Sequence, residues 1–322
     1  MRVGVDTSPL VQTRAGTARV VRGLLGALRD RPGVDLELLS FGGDGRVSSV
    51  VRDAVWYPVG LRRRARALDV LHCTTFRGPL RSSVPTVVTV HDLAILRAPE
   101  AFPRWHRLYG RAGLERVLEA ADAVVAVSEF TRDEVTALVD VPAERVRVVP
   151  NGVDALFSPD GPRTDGDYVL AVATLEPRKN LGRAVDAARE AGVELRVVGA
   201  RGWGGVDVPG WVGEVPDAEL AALYRGARCL VYPSLYEGFG LPVLEAMACG
   251  TPVVTSRATA MEEVAGRAAV LVDPLDASAI AAGIHEATSR RDELVPAGFA
   301  RAREFTWDRA ADAVIEIWRE LV

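Results

Sequence analysis

Residues 228–256 read RCLVYPSLYEGFGLPVLEAMACGTPVVTS. A short apolar run ends at Tyr232 and Pro233, and a loop carrying Gly238 and Gly240 follows. A helical pattern then opens with Pro242 and closes at Gly250, before a second apolar run, TPVVTS. Proline in the first turn and glycine just past the last are the residues that start and stop a helix. Strand, helix and strand in this order make a parallel crossover unit. Strands that are apolar throughout belong to a sheet covered on both faces.

The same alternation extends both ways along the chain. In the C-terminal half the strands are YVLAVAT (168–174), ELRVVG (194–199), RCLVYP (228–233), TPVVTS (251–256) and AAVLVD (268–273), with helices near 180–191, 217–226, 240–249, 259–265 and 276–289. In the N-terminal half, strands are expected at 2–6, 34–41, around 53–57, 69–72, 85–91, 122–128 and 145–150. Helices are expected at 17–28 and 103–121, and Ser128 is placed to cap another. Residues 150–167, rich in Pro, Gly and Asp, read as a linker. The prediction is an α/β protein with two doubly wound, Rossmann-like domains facing each other across a cleft: 1–150 for an acceptor and 151–305 for a donor. The amphipathic C-terminal helix, in 306–322, is expected to pack back toward the N-terminal domain. Ligands of such sheets bind at the C-terminal ends of strands, so the cleft is the expected site.

Composition narrows the function classes. The chain has 322 residues, 48% hydrophobic and 25% charged, as in ordinary globular proteins. Its net charge of -4 carries no nucleic-acid signature. The halves differ: residues 1–150 hold 22 Arg against 17 acidic residues, a net +5, and the remainder is −9. Arg62, Arg63, Arg64 and Arg66 cluster, and Arg104, Arg107, Arg111 and Arg116 fall on the expected helix 103–121 with Trp105, Leu108 and Tyr109 between them. That pattern points to an acceptor that is anionic or sits at an anionic membrane surface. Cys73, Cys229 and Cys249 suit neither a disulfide framework nor a metal site. No leader-like run opens the chain, and no apolar stretch approaches the ~20 residues of a membrane span. The expected location is cytoplasmic, peripheral at the inner face of the membrane if the basic surface docks there.

Two segments carry chemistry. Glu237 precedes the helix of the opening segment and Glu245 lies within it. The free N–H groups at that helix start can receive an anion or hydroxyls, and the glycines allow a ligand close to the backbone. Two carboxylates so placed can accept hydrogen bonds from two hydroxyl-bearing groups, such as a sugar and a ribose. The second segment is TLEPRKNL (174–181), after a strand and before a helix. Of 39 basic residues Lys179 is the one lysine, and Asn151 and Asn180 are the only asparagines. Arg178 and Lys179 at a strand's C-terminal end suit a diphosphate.

EGFGLPVLEAMACGTPVV (237–254) resembles the E-x7-E signature of the family-4 retaining glycosyltransferases. LEPRKN (175–180), VVGARGWG (197–204), WVGEVPDAELAALYRGA (211–227), VPNGVD (149–154), HDL (91–93) and VSEFTRDEV (127–135) fit the same family along nearly the whole chain. The resemblance implies a GT-B fold, a nucleoside-diphosphate sugar as co-substrate and retention at the anomeric carbon; no other cofactor is expected, and no metal, since the sequence offers no compelling carboxylate cluster for one. It assigns the diphosphate to Arg178 and Lys179, the ribose to Glu245 and the sugar hydroxyls to Glu237. Backbone N–H groups of Phe239, Gly240 and Leu241 would meet sugar and phosphate, the loop from Val212 to Val215 would receive the base, and His91 would reach the reacting sugar. GDP-mannose is the first expectation for the donor, with UDP- and dTDP-sugars next. One departure is RAGTARV (14–20), which has only Gly16 where the family commonly reads G-x-G-R-Y. Two alternatives stay open, a non-catalytic nucleotide-sugar-binding relative and a GT-B sugar epimerase. A nicotinamide dehydrogenase is excluded, because the glycines of VGARGWGGVD (198–207) have the wrong spacing.

Overall fold

The computed structural model describes residues 1–12, 16–43, 45–97, 99, 113–257 and 259–322. The chain divides into two compact units, Met1–Gly152 with Trp307–Val322, and Val153–Thr306. The first is built on β1 (Arg2–Asp6), β2 (Asp35–Leu39), β3 (Val70–Cys73), β4 (Thr86–Val90), β5 (Ala123–Ala126) and β6 (Val146–Val148), in the order β2-β1-β3-β4-β5-β6. The second is built on β7 (Tyr168–Val172), β8 (Glu194–Val198), β9 (Trp211–Gly213), β10 (Leu230–Tyr232), β11 (Val253–Ser256) and β12 (Val270–Val272), in the order β12-β11-β10-β7-β8-β9. The pairings are parallel in both sheets.

The apolar strands bury both faces, as parallel sheets require. In the N-terminal sheet Val3, Val5, Val70, Val87 and Val125 enter one core, and Leu71, Cys73, Val88, Val90 and Val124 enter the other. This is the period-2 alternation of a pleated strand. The C-terminal helix Trp307–Leu321 joins the first of these cores through Ala311, Val314, Ile315 and Trp318. Its entry is fitted to the helix Gly16–Leu28, where a Cβ at Gly23 would fall 2.1 Å from the Trp307 ring. Arg31 pairs with Asp308 at 2.6 Å, and the Trp318 ring stands edge-on to His72 with centroids 5.6 Å apart. The three cysteines are buried and free.

Three sequence expectations are corrected or left aside. The strand expected around 53–57 is a helix, Arg52–Gly60, wound to the wider π pitch, with the Leu61 N–H donating to the Trp56 carbonyl. Arg52, Tyr57 and Leu61 face inward at spacings of five and four, while Val55 and Val59 are exposed. The alternation that imitated a strand is the side of a helix. A second helix, Arg291–Ala302, went unexpected because Pro296 interrupts its pattern. Most of the first turns expected for the helix 103–121 lie outside the described residues, and 113–120 are helical. Ser128 caps Glu129–Leu138 as expected, its hydroxyl accepting from Thr131 N at 3.0 Å. Among the described residues no helix is long and apolar enough to cross a membrane.

Candidate active site

The C-terminal ends of β7 and β10 lie side by side, because those strands are neighbours in the sheet. Beyond β7 the chain forms a single tight turn, Pro177–Lys179, and then enters the helix Leu181–Glu190 through Asn180 at φ 58. Asparagine tolerates this left-handed conformation better than most residues. Its amide also donates to the carbonyls of Pro233 at 3.0 Å and Pro274 at 2.6 Å, tying three strand ends together. The Leu235 N–H donates to the Arg178 carbonyl at 2.8 Å, fixing the loop after β10 against the same turn.

This scaffold brings Arg178, Lys179 and Glu237 into contact. Lys179 Nζ lies 2.5 Å from Glu237 Oε1 and 3.2 Å from the Tyr232 hydroxyl. Arg178 donates to Glu237 Oε2 at 3.1 Å, to the Tyr236 carbonyl at 3.0 Å and to Glu176 Oε2 at 2.9 Å. The Tyr232 hydroxyl donates to Glu237 Oε1 at 2.9 Å. Burial by itself would raise the Glu237 carboxyl, but the two cations outweigh it and bring it down to about 2. Glu237 is therefore an anion. Burial pulls Lys179 down, with the Glu237 carboxylate opposing. Glu176, whose carboxyl burial raises against the pull of Arg178, and Glu237 both face the two cations, so the cluster is paired and largely buried rather than an open pair of cations.

The backbone beside this cluster is shaped by Gly240. Its φ is 100, and an added Cβ would fall 2.4 Å from Met261 Cε, so only glycine fits. Gly240 is the N-cap of Leu241–Ala248 and offers no side chain to the first turn. The N–H groups there form the partial positive end of the helix. Phe239 is buried edge-on to Phe305, with centroids 5.8 Å apart, and Leu241 is buried. The buried Thr259 hydroxyl has no hydrogen-bond partner among the described residues, and the Ser234 hydroxyl faces Glu237 and helps keep its carboxyl low. Thr259 is held at φ 63, a strained setting for a β-branched residue.

The other expected residues are placed apart from this cluster. Glu245 is 1% exposed and accepts from the Tyr224 hydroxyl at 2.9 Å. Val212 is exposed on β9 and Val215 is half-buried just after it. His91 and Gly16 belong to the N-terminal unit. His91 follows β4, with Nε2 2.8 Å from the Thr74 carbonyl, and burial lowers its pKa. Gly16 begins its helix with open space where a Cβ would be. Arg62, Arg63 and Arg64 lie exposed on the short helix Leu61–Ala65, and Arg66 directly follows it. Arg116 is exposed, whereas Arg104, Arg107, Arg111, Trp105, Leu108 and Tyr109 lie outside the described residues. Sequence reasoning missed Tyr232, Tyr224 and Glu176 as partners. The scarcity of asparagine was the available signal for Asn180.

The model of glycosyltransferase family 4 matches residues 14–155, and that of the group 1 glycosyl transferases matches 154–296. The O-antigen chain mannosyltransferase B of Escherichia coli is 34% identical over 298 residues, which cover 81% of this chain and 78% of the relative. The chain belongs to glycosyltransferase family 4. This glycosyltransferase is also 32% identical, over 301 residues, to an MMP alpha-(1->4)-mannosyltransferase of Mycolicibacterium hassiacum, covering 81% and 73% of the two chains. Its fold is GT-B. HepE from Anabaena, solved in complex with UDP-glucose, superposes with a TM-score of 0.76 at 19% identity, covering 100% of both chains.

Proposed function

We propose that this glycosyltransferase moves a mannosyl residue from GDP-mannose to a glycan acceptor, with retention at the anomeric carbon. The observation that carries the reading is the Arg178–Lys179–Glu237 cluster beside the side-chain-free start of Leu241–Ala248. A donor diphosphate is the group that two cations and a helix N-terminus together suit. The carboxylates of Glu176 and Glu237 hold those cations in place until it arrives. Glu237, with the buried hydroxyls of Ser234 and Thr259, offers acceptors and donors to sugar hydroxyls. Glu245, oriented by Tyr224, is the proposed ribose partner, and Val212 and Val215 flank the proposed base position. His91 is the proposed contribution of the N-terminal unit to turnover.

Mannose is favoured by the two mannosyltransferase relatives, and a nucleotide sugar by the UDP-glucose that HepE holds. During transfer the cations and the helix start would stabilise the departing diphosphate, which then accepts the acceptor's proton on the same face. A thermal-shift screen with GDP, UDP, dTDP and ADP tests the donor. A ligand at 100 times its dissociation constant adds about 2.7 kcal/mol to stability. GDP is expected to give the largest shift. No shift with any nucleotide would overturn the donor site, and a larger shift with UDP would overturn the base.

A further inference from the structure

Tyr232 closes β10, and hydrogen bonds on both sides of it fix the backbone from which its side chain starts. Its carbonyl accepts from the hydroxyl of Thr255, its register partner on β11, at 2.9 Å. The Asn180 amide donates to the carbonyl of the next residue, Pro233, at 3.0 Å, and the Leu235 N–H donates to the Arg178 carbonyl at 2.8 Å. Tyr232 itself is 3% exposed. A side chain packed and anchored in this way has little freedom to turn, which is what holding a neighbour in place requires.

The Tyr232 hydroxyl lies where Lys179 and Glu237 meet. It accepts from Lys179 Nζ at 3.2 Å and donates to Glu237 Oε1 at 2.9 Å, so its proton and a lone pair are both engaged. What the hydroxyl adds over a phenylalanine ring is these two contacts. Burial pushes the phenol well above its ordinary range, and the Glu237 charge acts in the same direction, so the hydroxyl is a neutral donor.

This neutrality matters when an anion arrives. A lysine ammonium has three N–H groups. Among the described residues Lys179 spends them on Glu237 at 2.5 Å and on Tyr232, which leaves one to turn to a phosphate. A diphosphate competes with the Glu237 carboxylate for both cations, and like charges a few ångströms apart repel. The bond from Tyr232 to Oε1 carries no net charge to be shared, so it persists while Arg178 and Lys179 turn to the ligand. We infer that Tyr232 is a positioning residue of the donor site, its hydroxyl keeping Glu237 aimed at the sugar and directing the remaining Lys179 N–H to the diphosphate. The inference deepens the proposed transfer reaction and rests on it, and the role is exerted through Glu237.

The test is Tyr232→Phe in the full chain, which keeps the ring and removes the hydroxyl. Release of GDP from GDP-mannose is expected to slow about tenfold, with GDP affinity by calorimetry held within about twofold. In a Glu237→Gln background the same change is expected to add almost nothing, because both substitutions act on one group. A purely structural loss would add to the effect of Glu237→Gln. Wild-type turnover by Tyr232→Phe, a loss confined to GDP affinity, or full additivity with Glu237→Gln would each overturn the role. A crystal structure of wild type with GDP decides the matter if Tyr232→Phe fails to fold. The Tyr232 hydroxyl is expected to stay within hydrogen-bond distance of Glu237 Oε1, with Lys179 Nζ on a phosphate oxygen; a Glu237 carboxylate that has left Tyr232 would overturn the role. Wild type that neither binds nor releases GDP overturns the transfer reading and the inference with it. Wild-type release matched by Tyr232→Phe overturns the inference alone.

Discussion

Lys179 Nζ stands 2.5 Å from Glu237 Oε1, a contact between residues 58 apart in sequence that follow different strands of one sheet. The pair is buried, and Arg178 holds the other carboxylate oxygen at 3.1 Å. This closure predicts opposite behaviour for its two members. Lys179→Ala removes a cation from the proposed diphosphate site, and GDP affinity by calorimetry is expected to fall at least tenfold, about 1.4 kcal/mol. Glu237→Gln keeps the shape but removes a negative charge beside two cations. Its GDP affinity is expected to hold or rise while kcat falls at least tenfold. Equal loss of affinity in both variants would contradict the assignment.

His91 makes a narrower prediction. Its Nε2 faces a carbonyl oxygen, so Nε2 carries the proton and Nδ1 the lone pair. Burial lowers its pKa below the ordinary 6.5, and the ring is neutral at physiological pH. His91→Ala is expected to lower kcat at least tenfold with GDP affinity intact. The wild-type kcat profile should show no break at 6.5 from this group; a break there that His91→Ala abolishes would contradict a neutral ring.

Stability should respond to acid through two opposed groups of the N-terminal unit. His72 is buried, and desolvation lowers its pKa to about 3. Its stabilisation is full above the ordinary 6.5 and is lost as pH falls toward 3. Asp6 is raised to about 6 by burial. Its contribution is full below the ordinary 3.8 and is lost as pH rises through 6. Between pH 6 and 4 the slopes oppose, each about 1.4 kcal/mol per pH unit. Asp6→Asn is therefore expected to raise the thermal midpoint at pH 8 and to steepen its fall between pH 6 and 4. A lower midpoint at pH 8 with an unchanged acid slope would contradict the buried anion.

How far the sequence was legible follows from the range of the interactions. Most strands could be read from apolar runs within their own length, as in TVVTV of β4, whereas the three-residue β9, Trp211–Gly213, was not expected. The loop after β10 could be read because Gly240 and Pro242 act on their own backbone. The neutralisation of Arg178 and Lys179 could not, since it depends on Tyr232 and Glu237 meeting a turn more than fifty residues earlier. Nor could the π-wound helix, whose inward Arg52 is held by the carbonyls of Phe41 and Gly43 and by the Ser49 hydroxyl. Pro296 hid a helix in the same way, because the packing of Gly298 on Met247 that helps hold it is tertiary.

Transfer is predicted to need no divalent metal. The charge of a leaving diphosphate is met by Arg178, Lys179 and the start of Leu241–Ala248, which act in a site largely shielded from water. The rate in excess EDTA should match the rate in magnesium. A loss of activity in EDTA that magnesium restores would show that another group stabilises the departing charge.

The most direct test of the central claim is release of nucleotide from the donor by the purified protein. GDP-mannose, UDP-glucose and dTDP-glucose are supplied in turn, and free nucleoside diphosphate is measured over time for wild type and Glu237→Gln. The account predicts release of GDP from GDP-mannose above the uncatalysed rate, slower release from the other two, and at least tenfold slower release by Glu237→Gln. No release from any donor, or wild-type release by Glu237→Gln, would contradict it.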